Sequence, residues 1–143
     1  MSHSLHGIAA SILLLPIICL AGCDSTAELP AELQRDIGTV QLKVDFGEDK
    51  RAKTIDVVCS EDSTVLLTLE RAQNMKKLKF EFTGSGETAF IKSIDGVENE
   101  GADGKSWTYK VNGKLGDKSA GIFEVDPADE IEWTFGDRPK ELN

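Results

Sequence analysis

Trp107, Tyr109 and Asn112 stand close together in the run Trp107-Thr108-Tyr109-Lys110-Val111-Asn112-Gly113, shortly after a stretch that places Asn99, Glu100 and Asp103 among glycines. Aromatic rings offer faces for stacking, and a phenol or an amide both donates and accepts hydrogen bonds. These residue types suit holding a ligand rather than making or breaking bonds. The oxygens of the Asn99 to Gly104 stretch would suit calcium, but their spacing lacks the Asp-x-Asp-x-Asp-Gly pattern of an EF-hand loop, so a solvated loop without metal is expected. Catalytic alternatives are few. The chain's two histidines are His3 and His6. Nothing downstream can therefore assemble a Ser-His-Asp or Cys-His nucleophile system, or the imidazole set of most catalytic zinc sites. Paired acids of the glycosidase kind stay formally open, yet among 25 acidic residues no pair stands out. The expectation is a protein that binds, with no enzymatic activity and no cofactor.

Apolar periodicity shows which elements must carry these side chains. Val40, Leu42, Val44 and Phe46 alternate with Gln41, Lys43 and Asp45, and after a charged turn at Gly47 to Arg51 the alternation resumes at Ile55, Val57 and Cys59. Two strands in a hairpin are expected. The period then changes: Val65, Leu66, Leu69 and Ala72 fall on one helical face, with Asp62 or Ser63 expected as N-cap. Strand alternation returns at Leu78, Phe80 and Phe82, Gly84-Ser85-Gly86 ends that strand, and Thr88 to Ile94 can form another. Trp107, Tyr109 and Val111 share a further strand face, so core packing and ligand stacking are both open to the two aromatics. Asn112-Gly113 is a tight-turn signal because both residues tolerate positive φ. Ile131, Trp133 and Phe135 mark the last strand. This order predicts an α+β, β-grasp-like domain, with one helix packed on a mixed sheet to give a two-layer core.

The N-terminal region addresses location. The apolar segment Ile8 to Leu20 is about 13 residues, short of the roughly 20 that span a bilayer. It ends in Leu20-Ala21-Gly22-Cys23, which resembles the lipobox of bacterial lipoproteins. The resemblance implies a signal peptide over residues 1–22 and fatty acylation (palmitate-type) of Cys23. It also implies an extracytoplasmic, lipid-anchored place in the cell envelope. The absence of Lys and Arg from Met1 to His6 departs from the usual charged start. Residues 23–38, with Pro30 and scattered charge, read as a tether, and residues 39–143 as one ordinary domain. Two acyl chains hold essentially permanently, so the domain itself needs no membrane-binding surface. Its formal net charge of −9 repels anionic head groups and nucleic acid. Cys59 is then the one cysteine left unmodified, a buried inert thiol on an apolar face with no disulfide partner.

Within the domain, Thr64-Val65-Leu66-Leu67-Thr68-Leu69, Ile94-Asp95-Gly96-Val97, the Trp107 to Gly113 run and Glu130-Ile131-Glu132-Trp133 follow one another as the motifs of a known family do. Together they resemble the transcobalamin-like C-terminal domain, a relative of soluble ligand-binding β-grasp domains. The resemblance implies a binding module for a small molecule or glycan, and implies cobalamin only weakly. A protein-interaction module of an envelope assembly is the alternative. Asn99, Trp107, Tyr109 and Asn112 are the expected ligand-binding residues. One departure is local: Pro127-Ala128-Asp129 stands where the family has Gly-Asp. If the glycine takes φ > 0, alanine would be strained there, so a different turn is expected.

Overall fold

Burial along the first strand alternates as the sequence demands. In the computed structural model, which describes residues 36–47 and 51–139, β1 (Gly38–Asp45) buries Val40, Leu42 and Val44 and turns Gln41 outward. The expected signal peptide, the Cys23 acylation site and nearly all of the tether lie outside the described residues, as does most of the expected charged turn. β2 (Ala52–Cys59) pairs antiparallel with β1 from Gly38↔Cys59 to Asp45↔Ala52, forming the expected hairpin. β8 (Glu130–Gly136) lies parallel to β1 on its other side, with Leu42 opposite Ile131 and Val44 opposite Trp133. β6 (Ser106–Val111) runs antiparallel to β8, and the two-residue β7 (Lys114–Leu115) closes the sheet in the order β2-β1-β8-β6-β7. This is a mixed sheet.

Register puts most large apolar side chains of the sheet on one face, with Val58 of β2 among the exceptions. Leu42, Val57, Ile131, Trp133, Trp107 and Tyr109 are all buried, while the other face carries Gln41, Lys43, Glu130 and Glu132, with Lys43 Nζ 2.6 Å from Glu130. The apolar face is covered by α1 (Val65–Asn74), which buries Val65, Leu66, Leu69 and Ala72. A smaller antiparallel sheet of β3 (Phe80–Thr83), β4 (Phe90–Ile94) and β5 (Val97–Glu98) adds Phe80, Ile91 and Ile94 to the same core. The architecture is α+β, dominated by sheet, with one α-helix among the described residues.

Four local expectations need correction. The N-cap of α1 is Thr64, not Asp62 or Ser63. Thr64 Oγ1 accepts from Leu67 N at 3.2 Å, while the Ser63 hydroxyl is occupied by the Ser60 N–H at 2.8 Å and by Arg71. Thr88 belongs to a single 3-10 turn, Gly86–Thr88, so the following strand starts only at Phe90. Phe82 does not continue the inward alternation of Phe80. It stacks on Phe80 at 5.4 Å yet stands 37% exposed, beside a bulge in which an extra residue of β4 shifts the register between Glu81 and Phe82. Finally, Ala128 adopts φ 72, the left-handed conformation that was expected to be avoided. The turn is held by Ala128 N bonding Thr39 O at 2.8 Å, Asp129 N bonding Asp126 O at 3.1 Å, and Gln41 N bonding Asp129 O at 2.9 Å. These bonds dock the entry to β8 onto β1, and they hold the alanine against a cost of about 1–2 kcal/mol.

Candidate functional site

The four residues expected to bind are all engaged inside the fold. Trp107 packs edge-on against Phe46 at 5.5 Å and beside Phe135 at 5.3 Å, and its indole N–H donates to Val97 O at 2.8 Å. Tyr109 lies against Trp133 at 5.2 Å and Phe123 at 5.7 Å, and its hydroxyl donates to Lys118 O at 2.7 Å. Gly116 lies against the ring: a Cβ there would stand 2.1 Å from Tyr109 Cζ. Burial, with Asp117 adding to it, pushes the Tyr109 hydroxyl up to about 12. Asn112, at φ 51 ahead of Gly113 at φ 76, forms the expected turn. Its amide donates to Asp129 Oδ1 at 2.7 Å and its carbonyl oxygen accepts from Glu130 N at 3.0 Å. Asn99 donates to Ile91 O at 2.7 Å and accepts from Trp107 N at 2.8 Å. Asn99 thus ties β4 of the small sheet to β6 of the large one, and Asn112 ties β6 to β8 at the opposite end of the strand.

The acidic loop after Asn99 folds on itself. Glu100 Oε2 accepts from Lys105 N at 3.0 Å while Glu100 N donates to Lys105 O at 2.9 Å. Among the described residues no group of three or more His, Cys, Asp or Glu is arranged to hold a metal ion. Cys59 is fully buried, and that burial pushes its thiol up despite the pull of Arg71. Arg71 itself reaches Val58 O and the hydroxyls of Ser60 and Ser63.

What remains available to a ligand is a cleft of about 460 Å³ beside the Asn99 loop, lined by Glu81, Phe90, Lys92, Asn99, Ser106 and Arg138 among others. Its volume lies within the roughly 300–1,000 Å³ usual for small-molecule sites. Phe90 supplies an apolar wall and is the most exposed large hydrophobic residue described, at 56%. The Lys92 and Arg138 side chains are exposed cations on the same cleft, with Glu81 and Glu98 opposing them in sign. Phe90, Lys92 and Arg138 were not singled out in the sequence. The signal was present in the phase of β4: buried Ile91 and Ser93 put Phe90 and Lys92 on the outer face.

A larger cleft of about 820 Å³ lies beyond the C-terminus of α1, lined by Lys53, Gln73, Lys76, Lys77 and Phe80. Three of its polar side chains are committed to the fold. Lys53 pairs with Asp95, Asp95 Oδ1 also accepts from Lys79 N at 2.8 Å, and Gln73 Oε1 accepts from Phe80 N at 2.9 Å. The last carbonyls of α1 are met by the backbone N–H groups of Met75, Lys76 and Lys77.

Residues 62–137, more than half of the chain, match the family described as Domain of unknown function (DUF4430). Among curated proteins nothing matches. Two solved structures are similar in fold. Haptocorrin in complex with Cbi superposes with a TM-score of 0.63 at 19% identity, over 71% of this chain and 25% of that chain. A protein from Ruminococcus gnavus described as metal binding superposes with a TM-score of 0.56 at 17% identity, over 71% of this chain and 99% of that one. The chain thus spans about a quarter of haptocorrin and nearly all of the bacterial protein. At these identities the likeness is one of fold.

Proposed function

We propose that this chain, which belongs to the DUF4430 family, is a membrane-anchored extracytoplasmic module that captures a small molecule or glycan. The observation that carries the reading is the 460 Å³ cleft in which an exposed phenylalanine faces mixed charge beside the Asn99 loop. A ring on Phe90 would gain stacking contact. Lys92 and Arg138, together with Glu81 and Glu98, would select a ligand that carries both acceptors and donors. Binding is the whole of the activity in this reading, since the described side chains offer no nucleophile with a base beside it. The likeness in fold to haptocorrin supports a ligand-binding role for this chain, whose α+β fold we read as β-grasp-like. A corrinoid is one member of the class, not the assigned ligand.

Anchoring rests on the lipobox at Leu20-Ala21-Gly22-Cys23. Acylation of Cys23 would hold the cleft near a bacterial membrane while the acidic domain stays off the lipid surface. Cys23→Ala is expected to leave an unacylated precursor or to release the protein into the soluble fraction. Mature wild-type protein with an unmodified Cys23 thiol, found soluble by mass spectrometry, would remove the anchor from the proposal. For the cleft, a thermal-shift screen of corrinoids, oligosaccharides and amphoteric metabolites should yield a ligand whose stabilisation is lost in Phe90→Ala and Lys92→Glu. Ligands that stabilise wild type and both variants alike would place binding elsewhere.

One observation favours docking to an envelope protein as a second reading. β2 is the longer of the two edge strands of the large sheet and exposes Val58 at 38%, and an unpaired edge can accept an added strand from a partner. Arg71 covers the Val58 carbonyl, which shortens the usable edge and keeps the cleft ahead. A partner cross-linked through β2 but indifferent to Phe90 would reverse that preference.

A further inference from the structure

The two clefts beside the small sheet adjoin. Both are bordered by Glu81 and Glu98, and strand register places those two acids in one row. Ser93 of β4 stands opposite Glu81 of β3 and opposite Glu98 of β5, and directly opposed residues share a face of the sheet. Ser93 follows the bulge of β4 and is 5% exposed. It borders the larger cleft, and its hydroxyl makes no hydrogen bond to the described residues. The two clefts therefore follow β4 from end to end. Phe90 and Arg138 stand in one of them, and Lys76, Lys77 and Lys79 in the other. The five residues of β4 alone extend about 17 Å at the usual rise of a strand.

Charge along this path runs against that of the chain, whose formal net charge is −9. Lys53 is spent on Asp95. Lys76, Lys77, Lys79, Lys92 and Arg138 remain, all exposed, against the two lining acids Glu81 and Glu98. The carbonyl end of α1 adds only about half a negative charge, so the path stays net cationic. An acidic surface with one cationic groove repels anions elsewhere and concentrates them there.

We propose that the two clefts are a single groove for an extended anionic oligosaccharide. Its acidic groups lie at the cationic ends, and its hydroxyls lie over the middle row of Glu81, Ser93 and Glu98. Carboxylates only accept hydrogen bonds, whereas the Ser93 hydroxyl both donates and accepts, so this row suits sugar hydroxyls and repels a chain charged at every unit. Phe90 offers an apolar face to a sugar ring at one end. The groove rests on the reading of the smaller cleft as the ligand site and specifies its occupant as a chain of several units.

Isothermal calorimetry on the full chain tests this with sugars of alternating glucuronate and N-acetylglucosamine, as disaccharide and as hexasaccharide. A neutral cellulose-type hexasaccharide and a glutamate hexapeptide are the controls. The anionic hexasaccharide is expected to bind at least ten-fold more tightly than its disaccharide or either control, and to weaken as salt rises. A double variant, Lys77→Glu with Lys79→Glu, is expected to weaken the hexasaccharide at least ten-fold and leave the disaccharide unchanged. Both side chains are exposed, so the variant keeps the wild-type fold by circular dichroism. Phe90→Ala is expected to weaken both anionic sugars. No binding of the anionic hexasaccharide, or equal binding of the neutral one, would overturn the proposal. A glutamate hexapeptide bound as tightly would assign the groove to acidic peptides instead. Disaccharide and hexasaccharide bound alike, lost in Phe90→Ala and indifferent to the lysine changes, would overturn the groove and keep the smaller cleft. Hexasaccharide binding lost in the lysine variant but unchanged in Phe90→Ala would overturn both.

Discussion

The two sheets share one core and spend their aromatic residues in opposite ways. In the five-stranded sheet Trp107, Tyr109 and Trp133 are buried and pack on one another or on Phe46, Phe123 and Phe135. In the three-stranded sheet Phe80 is buried and stacks on Phe82 at 5.4 Å, but Phe82 and Phe90 emerge at 37% and 56% exposure. A strand flanked on both sides within a sheet has its inner face fixed by register. The short β5 and the bulge in β4 leave the small sheet without that constraint. Packing strength therefore belongs to the large sheet, and open apolar surface, the raw material of recognition, to the small one.

The sharpest way to break this division is to truncate one side chain on each side of it. Leu69 of α1 is fully buried against the large sheet, and Leu69→Ala is expected to cost about 2–5 kcal/mol in urea unfolding through lost transfer energy and a residual cavity. Phe90→Ala is expected to change stability by no more than about 0.5 kcal/mol while abolishing binding in the adjoining cleft. A Phe90→Ala variant as unstable as Leu69→Ala would make Phe90 a core residue and dissolve the contrast.

Asn99 is where the two sheets are tied, and its substitution sharpens the comparison. Asn99→Ala removes the bonds to Ile91 O and Trp107 N, with an expected loss of about 1–3 kcal/mol as those partly buried groups lose their partner. Hydrogen exchange should then rise at β4 and at the Trp107 amide before it rises in β1. Uniform acceleration across both sheets would mean that Asn99 supports the whole domain rather than one junction.

Much of this was legible in the sequence where side-chain period and burial coincide. Val40 to Phe46, Ile55 to Cys59 and Val65 to Ala72 each bury the face that their spacing implies, because a single large sheet and one helix impose a single inside. Legibility failed where backbone geometry overrides pattern. Phe82 emerges at 37% exposure beside the β4 bulge, the Ser63 hydroxyl was claimed by Ser60 N and Arg71, and Ala128 accepted φ 72 because three backbone bonds fix that turn. The expected binding residues, Asn99, Trp107, Tyr109 and Asn112, are drawn from side chains that can donate, accept or stack. The same capacities serve internal bonding, and sequence does not distinguish a tie from a contact surface. Phe90 was legible only through its phase in β4, which requires knowing that Ile91 faces in. Ala128 gives a small test of the override: Ala128→Gly, relieving a left-handed alanine, is expected to raise stability by about 1 kcal/mol. Destabilisation instead would show that the Ala128 side chain contributes to the turn.

The smallest effect at neutral pH is expected at Tyr109, and it tests whether the large sheet's aromatics are as enclosed as their packing implies. Tyr109 is the only tyrosine of the chain, so tyrosinate absorbance reports it alone. Folded, its hydroxyl is pushed up to about 12 by burial, from an ordinary value near 10. Because the folded value is the higher one, the unfolded chain ionises first as pH rises. The contribution to stability is complete below pH 10, falls as pH climbs from 10 to about 12, and is gone above that. The absorbance midpoint should lie well above 10 in native protein and return to about 10 in concentrated urea. Loosening the ring's surroundings should move the native midpoint downward, so Phe123→Ala is expected to bring it part of the way back. A native midpoint already at 10 would place the Tyr109 hydroxyl in water. The aromatics of β6 would then stand as open as Phe90, and the division between a packed sheet and a presenting sheet would fail at its most telling residue.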